Sequence, residues 1–271
     1  MGFIEALRRE GDALLELENT RSRRFASDEW CCYACDFGWH CRSWPRSPAI
    51  LLPVARPPAP LAGLSVVLLG HFNPSIFQPA WFAEQGLIAK ADARSATIQV
   101  IQAQVAAFST DALAVVVSNV QFNASTTTEL FHETLRDLVI GTFQALNHSP
   151  VSAIGINTDT HFKVTSEKAW EELSRHLVVL DDWATVLEEP SALTMTIRGK
   201  RPDERTGSVN VKVERSIKVN PGIYVQVNDH FERPIDEALN ASLALDVLGR
   251  EWEPAMARAN RVLDHLGAMV K

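Results

Sequence analysis

The spacing of apolar and polar residues changes period several times along this chain, and each change predicts an element. Leu64 to Phe72 is apolar on both sides until Gly70, the signature of a buried strand. Asn73, Pro74 and Pro79 end it, and Trp81 to Ile88 has the length of a short helix. Thr97 to Phe108 reads as one strand. The turn at Ser109-Thr110-Asp111 folds it back as a hairpin on residues 112 to 118, where β-branched residues dominate. The clearest helix follows, Thr128 to Leu146, with Leu130, Phe131, Leu135, Leu138, Val139, Phe143 and Leu146 at helical spacing. Thr126 or Thr127 supplies its cap, and Glu129 suits the positive end of its dipole.

Val151 to Val164 predicts a long strand. Ser166 caps a helix over Glu167 to Leu177, and Trp183 to Glu188 adds a helical turn. Leu193 to Lys200, Ser208 to Ser216 and Gly222 to Phe231 are three further strands. In the second of these Val209, Val211 and Val213 alternate with Asn210, Lys212 and Glu214. Helical sequence runs from Ile235 to about Val270, interrupted near Gly249 or Pro254, with Glu251 and Trp252 opening the last helix. Short connections favour hairpins over crossovers. The expected fold is therefore α+β, a mostly antiparallel sheet with helices on one face, arranged as two pseudo-repeated halves.

The first 63 residues have a different character. Residues 3 to 24 carry Phe3, Leu7, Leu14 and Leu17 on one helical stripe, and residues 25 to 48 are rich in Trp, Cys and Arg without a period. Pro53, Pro57, Pro58 and Pro60 make residues 49–63 read as a linker, because proline interrupts helix and central strand alike. The division is thus 1–48, 49–63 and a body at 64–271. Residues 1–48 read as an N-terminal helix plus a Cys/Trp-rich segment, the latter a zinc module, a disordered stretch or an over-extended start of the reading frame.

Composition narrows the classes. The 271 residues hold 33 acidic against 26 basic side chains, a formal charge of −7, which argues against a nucleic-acid partner. The longest apolar runs are strand-sized, so no membrane partner is expected. The first 18 residues lack the uninterrupted apolar run of a secretory signal, and all four cysteines crowd between Cys31 and Cys41. Both features point to the cytoplasm.

Three groups of residues are candidates for chemistry. Cys32, Cys35 and His40, with Cys41 or Cys31 as a fourth ligand, have part of a zinc-knuckle spacing, although the knuckle's own fourth position is Pro45. The expectation is no cofactor, with zinc here as the exception. Asn157, Asp159 and His161 fall on one face of the long strand, opposite Ile154, Ile156 and Phe162. Asp229 and His230, in a similar run, join them if the two strands are neighbours, giving a metal or acid/base site. Against this stands the plain reading of a strand with a wet face. Phe72, Asn73, Phe77 and Trp81 leave the first strand as an aromatic-proline loop that lines a binding edge or plugs the sheet. Arg198, Lys200, Arg201 and Arg205 form a basic hairpin tip, read as a solvated turn. P-loop, dinucleotide, nucleophile-elbow and HExxH motifs are missing.

The run from Val66 through Glu232 resembles a family of uncharacterised bacterial proteins of patchy distribution. The resemblance rests on Phe72-Asn73-Pro74 with Trp81-Phe82, the Phe108 to Phe122 hairpin, the helix leading into Ile154-Gly155-Ile156-Asn157, and Val227-Asn228-Asp229-His230-Phe231. It implies a bacterial cytosolic α+β protein that travels with mobile elements, and no active-site residues. Residues 1 to 60 lie outside it.

The function expected from these features is a non-enzymatic module that binds a protein or small ligand through the sheet face and the aromatic loop. The alternative is a metal-assisted hydrolase or nuclease using Asn157, Asp159 and His161. Leu263, Leu266 and Met269 suggest a homodimer through the C-terminal helix.

Overall fold

Nine stretches of β-branched and alternating sequence form a single sheet in the computed structural model, which describes residues 56–234 and 237–270. The strands are β1 (Leu61–Gly70), β2 (Thr97–Ile101), β3 (Val105–Ser109), β4 (Ala114–Ser118), β5 (Gln121–Thr126), β6 (Val151–Lys163), β7 (Thr194–Lys200), β8 (Gly207–Arg215) and β9 (Gly222–Glu232). Their order is β2-β3-β4-β5-β1-β6-β9-β8-β7, and every pairing is antiparallel. The described helices are α1 (Pro79–Glu84), α2 (Lys90–Ser95), α3 (His132–Ala145), α4 (Lys168–Leu177), α5 (Ser242–Arg250) and α6 (Trp252–Met269). The α+β expectation holds. The two halves do not make separate small sheets, because β1 and β6 pair from Leu61 opposite His161 to Leu69 opposite Ala153.

Period-two alternation places Leu64, Val66 and Leu68 of β1, Phe122 and Ala124 of β5, and Ile154 and Ile156 of β6 on one face. They pack under Leu135, Leu138, Val139 and Phe143 of α3 and Val247 and Leu248 of α5. On the same face Val213, Ile223, Val225 and Val227 meet Trp170 and Leu173 of α4 and Leu263 and Leu266 of α6. Each of these large side chains contributes about 1.5–3 kcal/mol through burial. Leu263 and Leu266 are therefore used inside the chain, with Met269 packed against the same cluster. The self-association face expected on that helix is not free.

The aromatic-proline loop is also core. Phe72 and Phe77 are buried, and Phe77 sits 5.5 Å from Phe122 and 6.0 Å from Trp81, ring centre to ring centre. Asn73 accepts from the Ser75 backbone N–H at 3.2 Å and so caps a 3-10 turn over Pro74–Ile76. These residues plug the end of the sheet, and only Trp81 among the three aromatic candidates stays partly exposed.

Other departures have local causes. Thr97 to Phe108 forms two strands, because a turn closed by Gln102 N–H to Val105 O at 2.8 Å interrupts it without glycine or proline. Residues 56–60 join the body: the Pro58 carbonyl accepts from Lys163 N–H at 2.7 Å, and Arg56 pairs with Asp264. Proline lacks a donor but keeps its acceptor, so this stretch can still dock on a strand end. Residues 237–241, expected as helix, are not helical, and the described helix begins at Ser242. Before it, Arg233 fastens the chain by donating to Val151 O at 3.0 Å and Asn240 O at 2.8 Å.

Candidate binding site

The strand face turned away from these helices is polar. On β6 it presents Asn157, Asp159 and His161, as alternation predicts. The register sets Asn157 between Ser65 and Asn228, Asp159 between Gly63 and Gln226, and His161 between Leu61 and Tyr224. The Asn157 row continues across six strands as Ser125, Ser65, Asn157, Asn228, Asn210 and Arg198. Asn157 Nδ2 donates to Ser65 Oγ at 3.4 Å, and Arg198 Nε donates to Asn210 Oδ1 at 2.9 Å. The buried Asn228 Oδ1 has no hydrogen-bond partner among the described residues.

At the Asp159 end the face opens into a cavity of about 590 Å³. Asp159, His161 and Tyr224 form its polar wall, Leu61 and Ile217 part of its apolar wall, and Lys218 lies on its lining. The Tyr224 hydroxyl and Gln226 Nε2, the latter at 3.0 Å, both donate to Asp159 Oδ1. Oδ2 accepts from no described residue. Burial and the neighbouring Asp159 carboxylate push the Tyr224 hydroxyl well above its ordinary pKa, so it remains a donor. Gly63 stands opposite Asp159, and a Cβ placed there meets nothing closer than Thr126 O at 3.5 Å. The glycine leaves the space in front of the acid open.

His161 is buried and stacks on Tyr224, the ring centres 4.7 Å apart. Its Nδ1 lies 2.8 Å from Ser216 Oγ. That oxygen accepts from the Val219 and Lys218 N–H groups at 2.9 and 3.2 Å, which leaves its proton for the imidazole. His161 is thereby assigned as the Nε2–H tautomer. Burial, then the charge of Lys218, pulls its pKa below the ordinary value, outweighing Asp159 and Glu214.

The remaining candidates do not converge here. Asp229 is adjacent to Ile156 in register and so points to the helix face, where it is buried and accepts from Arg201 and from Arg258 Nε. His230 shares the face of Asp159 but lies opposite Gly155, with Nε2 3.2 Å from Glu232. Among the described residues no three His, Cys, Asp or Glu side chains form a group that can hold a metal ion. Cys32, Cys35, His40 and Cys41 lie outside the described residues. Arg201 corrects the solvated-turn reading. It is buried, its guanidinium 3.6 Å over the Phe231 ring, and paired with Asp203 and Asp229.

Sequence reasoning missed Tyr224 and Gln226. Their signal was present in the alternation of Ile223, Val225 and Val227 with Tyr224, Gln226 and Asn228. What the arrangement offers is hydrogen bonding and charge at a half-enclosed cavity, in a chain built as an antiparallel α+β fold. No protein-family model matches this chain, and no curated protein aligns with it. No described helix is long and apolar enough to cross a membrane.

Proposed function

We propose that the chain is a binding module, not an enzyme, and that it holds a small polar ligand on the open sheet face, in the cavity beside Asp159, His161 and Tyr224. The observation that carries this reading is the pre-organised acid at the cavity wall: one oxygen is fixed by two donors, the other is open, and a glycine across from it keeps the approach clear. Ligand sites are concave, with a few convergent polar groups on an apolar lining. The His161–Ser216 pair supports binding over nucleophilic catalysis, because the hydroxyl oxygen is occupied by two backbone donors that shape the 216–219 turn.

The test is a thermal-shift screen of amines, carboxylic acids, sugars and nucleotides against the full chain and its Gly63→Leu variant. A ligand that binds the native state raises the melting temperature. The expected result is a hit that vanishes when leucine fills the cavity while the fold persists by circular dichroism. Hits that all survive Gly63→Leu would sink the cavity as the binding site.

A further inference from the structure

Asp159 differs from every comparable carboxylate in the described chain. Asp203, Glu214, Asp229, Asp246 and Glu251 are also shielded from solvent, and each has an arginine or lysine within salt-bridge distance. Asp159 has none among the described residues. A shielded carboxylate without a counter-charge is costly, and the usual compensation is a paired cation. Of the three cations on the cavity lining, Lys212 is held by Glu214 at 2.8 Å and lies 5.7 Å over the Tyr224 ring, Arg215 is 3.7 Å from Glu171, and Lys218 forms no ion pair with Asp159.

We infer that the missing counter-charge arrives with the ligand, and that the cavity takes an alkylammonium group. Its charged head would meet Asp159 Oδ2, and its methylene stem would lie along Leu61 and Ile217. The Tyr224 and Gln226 donors hold Oδ1, so the carboxylate is already oriented and little freedom is lost on binding. This inference rests on the binding reading above and names its ligand class. The chemistry is shared by free diamines and by lysine side chains, and the two sources are separated by experiment.

The experiment is titration calorimetry of the full chain at neutral pH with cadaverine, with Nα-acetyl-lysine methylamide, and with 1,5-pentanediol as the uncharged analogue. Saturable binding of at least one amine is expected, with none for the diol. Asp159→Asn should weaken it by about tenfold or more, the loss typical of a charge-assisted contact. Tyr224→Phe, which keeps the charge but loosens its orientation, should weaken it less. Preference for cadaverine marks a free diamine, and preference for the lysine derivative marks a peptide side chain. Amine binding unchanged in Asp159→Asn overturns the inference. So does silence of both amines; if another ligand still shows Gly63→Leu-sensitive binding, the binding site itself stands, and if none does, both fall.

Discussion

Arg258 donates from Nε to the Asp229 carboxylate at 2.6 Å, tying the last helix to the sheet at β9. Arg201 donates to the other oxygen of the same acid, and Asp203 holds Arg201 in turn through Nε and Nη2 at 2.9 and 2.5 Å. Both guanidinium groups are buried, and Arg258 Nη2 has no hydrogen-bond partner among the described residues. Asp229→Ala would therefore leave Arg201 with Asp203 alone, and Arg258 with no carboxylate nearer than Glu251 at 3.7 Å. The expected loss is about 3–5 kcal/mol, because breaking a buried ion pair from one side leaves the other charge uncompensated. Urea unfolding measures it as a drop in midpoint at constant slope. A loss below about 1 kcal/mol, the scale of exposed pairs, would show that water reaches the network.

How far the sequence disclosed this arrangement depends on the range of the interaction. The alternation of Val209, Val211 and Val213 with polar residues is local, and so the strands from 193 to 231 were legible, as was the face shared by Asn157, Asp159 and His161. Alternation also places adjacent residues such as Asp229 and His230 on opposite faces of a strand, which the grouping of both with Asp159 overlooked. Arg201 lay beyond local reading. Its burial is set by β8 and β9 pairing and by α6, and a basic tip of the same composition on another scaffold would be solvated. Strand register is likewise fixed across the sheet, and only there does Tyr224 meet His161.

The buried imidazole makes stability depend on pH. The folded state holds the His161 pKa below its ordinary 6.5, through burial first and Lys218 second, while Asp159 and Glu214 oppose both. Above 6.5 the two states bind equally few protons at this group. As pH falls through that value the unfolded chain takes up a proton that the folded chain resists, so stability declines until the folded pKa is reached. His132, also lowered by burial, acts in the same direction. The expected outcome is a falling unfolding midpoint between neutral and mildly acidic pH, with a shallower slope in His161→Gln and again in His132→Gln. A slope untouched by His161→Gln would mean that the imidazole is hydrated in the folded state.

The unpartnered amide oxygen of Asn228 yields the last prediction. Its Oδ1 is buried without a hydrogen bond among the described residues, in the row that runs from Ser125 to Arg198. An unsatisfied buried carbonyl costs about 1–3 kcal/mol, and an apolar group of similar shape removes that cost. β-Branched residues also suit a central strand better than asparagine. Asn228→Val should therefore leave stability unchanged or raise it by about 1 kcal/mol, read as the midpoint of urea unfolding. If the polar row extends the ligand surface beyond the cavity, the same substitution weakens binding while the fold gains. Such opposition between stability and function is expected where polar groups are kept for recognition and not for packing. A destabilised Asn228→Val would instead show that ordered water completes the amide's bonding, and the row would then be a structural element of the sheet.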